Sequence, residues 1–138
     1  MEELTMMEIV EFLKKNVNGN LATIDHGLPR VRPFGFILYE DEKLYFCTNS
    51  LKDVYKQLIE VPYIEYAATS KEMVTVRISG KIYFCDDIEI KGKVLNVFDS
   101  IKTGYKTADN PIFKVFYLEH GTASISDFSG KPMKKISF

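Results

Sequence analysis

The segment from residue 63 to 85 limits the fold most. Tyr63 to Thr69 and Met73 to Cys85 alternate apolar and polar side chains, are rich in β-branched and aromatic residues, and are separated only by Ser70-Lys71-Glu72. A period of two places one face of each strand on a core and the other toward solvent. So short a connection forces an antiparallel hairpin, because a parallel return needs a crossover of about a dozen residues or more. The same pattern precedes it: a strand from Asn20 to Asp25, a turn at Asp25-His26-Gly27-Leu28-Pro29, a longer strand from Arg30 to Tyr39, a turn at Glu40-Asp41-Glu42-Lys43, and a strand from Leu44 to Thr48. Further on, Ile112 to Phe128 contains a strand with a break at Gly121, and Pro132 to Phe138 supplies a last short one. Strands joined by short turns favour an antiparallel barrel or sandwich over a parallel βαβ fold.

Three helices are expected around this sheet. Thr5-x-x-Glu8 forms a capping box, flanked by Leu4 and Ile9 as a hydrophobic staple, and Met6, Ile9, Val10, Phe12 and Leu13 recur at helical spacing up to a stop at Asn18-Gly19. A second helix is expected to start at Ser50, capped through Asp53, with Leu51, Tyr55, Leu58 and Ile59 on its apolar face and Pro62 beyond its end. Asp86-x-x-Glu89 caps a third, whose stripe is Val94, Leu95, Phe98 and Ile101, and Thr103 to Pro111 follows as a polar connection. The helices act as lids on the sheet.

With 138 residues, the chain suits one domain spanning 1–138. Its formal net charge is −1, without the basic excess of a dedicated nucleic-acid or anionic-membrane binder. No apolar run reaches the roughly 20 residues that cross a bilayer, and the acidic start Met1-Glu2-Glu3-Leu4-Thr5 does not read as a signal peptide. Cys47 and Cys85 are too few and too far apart for a disulfide framework or a zinc site, so reduced thiols, no metal and a cytoplasmic location are expected.

Of the 18 basic residues only three are arginines, and two of them stand in Arg30-Val31-Arg32. Alternate strand residues share a face, so both guanidinium groups point the same way. The pair reads either as a solvated strand face or as an anion site, for which the planar fork suits carboxylate and phosphate. Thr48-Asn49-Ser50-Leu51-Lys52 adds a second clue. It runs from a strand into a helix start, where free N–H groups and the positive dipole end receive anions and a lysine is otherwise disfavoured. No phosphate-binding glycine motif, nucleophile elbow or H-E-x-x-H is present. His26 reads as an exposed turn residue and His120 as structural; Asp86 and Asp87 are explained by capping, and Lys131, Lys134 and Lys135 by solvation.

Four pieces in order then carry a resemblance: Leu21-Ala22-Thr23-Ile24-Asp25 with Gly27-x-Pro29-Arg30-Val31-Arg32-Pro33-Phe34; Lys43-Leu44-Tyr45-Phe46-Cys47-Thr48-Asn49; Lys52-x-x-Tyr55-Lys56-Gln57-Leu58; and Val76-Arg77-Ile78-Ser79-Gly80-Lys81. Together they resemble the FMN-binding split-barrel family of pyridoxamine 5′-phosphate oxidase and the nitroimidazole-reductase-like flavoproteins. The resemblance implies a mainly β (α+β) fold, a six-stranded antiparallel Greek-key split β-barrel with peripheral helices, dimerising with FMN in the groove between subunits. It also implies that Arg30, Val31 and Arg32 lie along the flavin and its phosphate tail, that Cys47, Thr48 and Asn49 continue the contact, that Lys52 holds the phosphate, and that Thr75 and Arg77 approach the ring or the tail.

The chain departs from the namesake enzyme in having no Trp and no Arg in its tail, Lys131 to Phe138, and in carrying Leu51 where a second cation usually flanks Lys52. Oxidation of pyridoxamine phosphate is therefore not the implied activity. The expected function is an FMN-dependent oxidoreductase, a homodimer that moves hydride or electrons from NAD(P)H to a small acceptor such as a 5-nitroimidazole. The alternatives are a non-catalytic flavin carrier or sensor, and a split barrel loaded with deazaflavin or haem.

Overall fold

A computed structural model describes residues 3–138, so Met1 and Glu2 of the acidic start lie outside the described residues. Thr5 and Glu8 close the capping box of α1 (Met6–Lys15): the Thr5 N–H donates to the Glu8 carboxylate at 2.9 Å and the Glu8 N–H to the Thr5 hydroxyl at 3.3 Å. Leu4 and Ile9 are both buried, as a staple requires. The stop comes earlier than Asn18-Gly19, at Asn16, whose N–H closes on the Phe12 carbonyl at 2.9 Å. Asn18 and Gly19 belong instead to β1 (Asn18–Asp25), where a Cβ on Gly19 would lie 2.5 Å from Tyr66 Cζ. The glycine is there for close packing, not to end a helix.

β1 folds back through the His26-Gly27 turn, both residues at positive φ, onto β2 (Leu28–Gly35). The expected strand from Arg30 to Tyr39 is two strands, β2 and β3 (Leu38–Glu40). It divides because the chain changes partner: the Phe36 N–H donates to Val17 O, and the next N–H, that of Ile37, to Tyr45 O. β4 (Lys43–Asn49) then leads to α2 (Asp53–Glu60). Ser50 does not cap α2. Asn49 takes the turn, its side-chain oxygen accepting from Leu51 N at 2.8 Å and its carbonyl from Lys52 N at 3.0 Å, so the helix begins only after Lys52.

β5 (Tyr63–Thr69) and β6 (Thr75–Cys85) form the expected hairpin. Its turn runs on to Val74, because Met73 is held at φ +66° and the Val74 N–H donates to the Ser70 hydroxyl at 3.2 Å; β6 therefore starts at Thr75, not Met73. The third helix is capped by Asp87, not Asp86: one Asp87 oxygen accepts from Glu89 N at 2.9 Å. It is also two helices, α3 (Ile88–Val97) and α4 (Asp99–Tyr105), separated by Phe98 in extended conformation, so part of the expected polar connection is helical. β7 (Phe113–Leu118), β8 (Thr122–Ser126) and β9 (Lys134–Ser137) follow, with the break at Gly121.

The strands hydrogen-bond in the order β2-β1-β5-β6-β7-β4-β3, with β8 added to β6 and β9 to β8, all antiparallel. The class is the expected one, mostly antiparallel β with peripheral helices, and the described residues form nine strands on an open path where a six-stranded split barrel was expected. β6 is the shared strand. On one edge, Thr75–Ser79 pairs with β8 and Ile82–Cys85 with β7. Gly80 stands at this changeover, where a Cβ would meet the His120 carbonyl at 2.6 Å. One core, with Phe36, Phe46, Tyr66 and Phe116 at its centre, lies inside the curved sheet under α1 and α2; a second, with Tyr45, Val94, Leu95 and Phe113, lies between β4–β7 and α3–α4. Among the described residues no helix is long and apolar enough to cross a membrane, and both cysteines are free thiols.

Candidate functional site

The register of β2 on β1 sets the site. Arg30 faces Thr23 and Arg32 faces Leu21, so both guanidinium groups lie on the inner face, as alternation requires, in line with the core residue Phe34. α2 covers this end of the sheet, burying Val54 and Leu58. Arg32 is consequently drawn inward. Its Nη1 donates to the Thr23 hydroxyl at 2.7 Å and to the Leu21 carbonyl at 3.3 Å, and its Nη2 to Gln57 Oε1 of α2 at 2.7 Å. The Thr23 hydroxyl donates in turn to Gln57 Oε1 at 2.6 Å, which closes the network. Burial lowers the Arg32 pKa and Asp53 raises it again; an arginine so far from neutral pH stays charged.

Arg30 lies nearer the mouth, with its Nε 3.1 Å from an Asp25 carboxylate oxygen. The other Asp25 oxygen is 2.8 Å from His26 Nδ1. Those two hydrogen bonds hold the Asp25 carboxyl below its usual range, and Asp25 raises the His26 pKa. Lys52 forms no ion pair among the described residues. It is the N-cap residue of α2 and contributes no side-chain cap, so the first-turn N–H groups of Asp53 and Val54 have no side-chain acceptor. Arg30, Arg32, Lys52, Asp53 and Gln57 together line an open groove of about 440 Å³. At the end of β4, Thr48 is 4% exposed and its Oγ1 is the one buried side-chain oxygen or nitrogen among the described residues without a hydrogen-bond partner.

Cys47 points the other way, as its place next to Thr48 on a strand dictates. It lines a second groove of about 450 Å³ with Asn18, Pro33, Phe34, Ile37, Phe98 and Ile101. No charged residue lines it. Burial pushes the Cys47 thiol up to about 12, so it is held protonated and unreactive. Arg32 lines the first groove and Pro33 the second, so consecutive residues of β2 contribute to both.

Of the residues singled out in the sequence, the structure thus brings Arg30, Arg32 and Lys52 into one groove, with Val31 on its edge, and Cys47 into the adjoining one. Asn49 shapes the turn before α2. Thr75 and Arg77 enter neither groove. They lie on the outer face of the sheet, where Thr75 shares a hydroxyl contact of 2.9 Å with Thr69 and Arg77 pairs with Glu65 at 3.2 Å. Arg77 shares a cross-strand row with Ala67, Asn20 and Pro33, which puts it three strand spacings, roughly 14 Å, from Pro33. Gln57, Thr23 and Asp25 stand in the motifs that carry the resemblance but were given no role in the site. Gln57 did leave a signal, being polar at the edge of the helical stripe that buries Val54 and Leu58.

Comparison with known proteins agrees with this architecture. The family described as pyridoxamine 5′-phosphate oxidase matches residues 5–116. A NimC/NimA family protein from Clostridium acetobutylicum superposes with a TM-score of 0.88 at 34% identity, covering 96% of this chain and 92% of its own. At lower identity, where the likeness is one of fold alone, a pyridoxamine 5′-phosphate oxidase-related, FMN-binding protein from Nostoc punctiforme has a TM-score of 0.75 at 13% identity, covering 98% of this chain and 97% of its own. A haem-binding protein from Mycobacterium smegmatis has a TM-score of 0.78 at 16% identity, covering 99% of this chain and 60% of its own. None of the curated proteins matches the chain. With its sequence match over most of the length and its open antiparallel sheet, the chain belongs to the pyridoxamine 5′-phosphate oxidase family.

Proposed function

We propose that the chain is an FMN-dependent oxidoreductase that moves hydride or electrons from a reduced nicotinamide to a small acceptor. The observation that carries this reading is that consecutive β2 residues, Arg32 and Pro33, line two grooves, one holding Arg30, Arg32 and Lys52 with Asp25 and Asp53, the other uncharged. FMN has the same two-part chemistry, a phosphate tail and a flat ring, and the residues fit both parts. Lys52, Arg30 and the first-turn N–H groups of α2 are the donors a phosphate needs. Pro33, Phe34, Ile37, Cys47, Phe98 and Ile101 offer the apolar walls that a flat ring needs. Haem is less well supported, since neither groove is lined by a histidine.

Bound FMN supplies the redox chemistry; the protein orients it and sets its electrostatics. In this reading Arg32 keeps a positive charge at the groove wall, Lys52 and Arg30 neutralise the phosphate, and the protonated Cys47 serves as an apolar wall, not a nucleophile. No side chain of the described residues is assigned as acid or base. The chain works as a homodimer with flavin between subunits. That assembly is supported by Ile24, Val31 and Tyr63, which expose 40%, 68% and 52% of their surface on the outer face that also bears Thr75 and Arg77. The acceptor is small and uncharged, a 5-nitroimidazole type, supported by the uncharged lining and by the similarity to a NimC/NimA family protein.

The test is anaerobic mixing of the FMN-loaded protein with NADH or NADPH, followed by a nitroimidazole. The expected result is loss of visible flavin absorption on reduction and its return when the acceptor is added. Flavin that stays oxidised with both nicotinamides would contradict turnover and leave the carrier or sensor function.

A further inference from the structure

We infer that Gln57 and Thr23, acting through Arg32, are positioning residues that set a preference for FMN over riboflavin; the inference rests on the FMN reading above. Arg32 is not a free fork waiting for an anion. Three of its hydrogen bonds go to Thr23 Oγ1, Leu21 O and Gln57 Oε1, the two shortest at 2.7 Å, and Thr23 completes the ring by donating to Gln57 at 2.6 Å. Thr23 is 2% exposed while Arg32 and Gln57 are half-buried, so the network is partly withdrawn from water, where bonds to a charged donor are stronger.

The ring joins β1, β2 and the body of α2. The N-terminus of that same short helix carries Lys52 and the free N–H groups of Asp53 and Val54. Loss of the tie leaves the helix held by apolar contacts, Val54 and Leu58 in the core and the Tyr55 ring 5.2 Å from that of Phe84, and such contacts fix its rotation and its slide along the sheet less strictly than directed hydrogen bonds. Phosphate donors are effective only when they are already aligned. The uncharged groove is built by the start of β1, β2, β4 and α4 without α2, so its grip on a flat ring does not depend on how α2 is placed. The consequence is selective: breaking the ring of hydrogen bonds weakens the hold on a phosphate and spares the hold on a ring that lacks one.

Riboflavin is that ring without the phosphate, so fluorescence titration of the intact protein with FMN and with riboflavin reads the effect. Gln57→Leu and Thr23→Val are each expected to weaken FMN binding roughly tenfold or more, from the worth of a hydrogen bond to a charged group, while riboflavin affinity stays within about twofold. Thr23→Ser keeps the hydroxyl and is expected to keep the preference. Equal losses for both ligands, or no loss for either, would overturn the inference. Should Gln57→Leu fail to fold, the contrast between Thr23→Val and Thr23→Ser decides. Wild-type protein that binds neither flavin overturns the FMN reading itself, an outcome distinct from a wild type that binds FMN with unchanged preference in the variants.

Discussion

Arg30 and Lys52 share a groove but not a state. Arg30 is already paired with Asp25 at 3.1 Å, whereas Lys52 has no ion-pair partner among the described residues and sits at an uncapped helix start. Lys52→Ala is therefore expected to weaken FMN binding roughly tenfold, the worth of one charge-assisted contact, and Arg30→Ala by less. Lys134 and Lys135, on β9 and outside both grooves, serve as controls and are expected to change nothing when replaced by alanine. Flavin fluorescence titration gives the ranking; an equal loss in the control variant would mean that the phosphate is held elsewhere. At this scale the sequence showed that the two arginines share a face, because strand alternation is local. It did not show that Arg32 is tied to Gln57, since that partner lies on a separate element and only folding brings the two together. The opposite directions of Cys47 and Thr48 were equally legible from alternation, although the family resemblance grouped the two as one contact.

Helix and strand limits were legible where one local interaction dominates. The Thr5–Glu8 capping box is one, and Thr5→Ala is expected to cost about 1 kcal/mol and to lower the thermal midpoint by a few degrees, roughly 3 °C, in a calorimetric scan. An unchanged midpoint would show that α1 is held by packing alone. Flavin affinity should not move, because α1 lines neither groove. Where two local interactions compete, the sequence was ambiguous. Ser50 looked like the cap of α2, but Asn49 formed the turn first; Asp86 looked like the cap of α3, but Asp87 is the residue whose oxygen reaches Glu89 N. Phe98 kept the helical spacing of an unbroken stripe and yet separates α3 from α4, which turns its ring into the uncharged groove.

For the molecule as a whole, the antiparallel class followed from the short turns, while the count and closure of strands did not. β2 and β3 are one run in sequence and two strands in space, and β6 is one run that serves two partners along one edge. Such exchanges depend on which distant strand arrives alongside, and no local pattern records that. The exposed apolar face bearing Ile24, Val31 and Tyr63 is likewise a property of the assembled sheet, and in the proposed dimer it meets a second copy. Flavin binding and dimer formation are read together by sedimentation equilibrium of the purified protein with FMN, followed in the visible flavin band. The expected result is a flavin band that sediments with twice the 15.9 kDa mass of one chain. A flavin band that stays with free FMN while the folded protein sediments without it would contradict the proposed function.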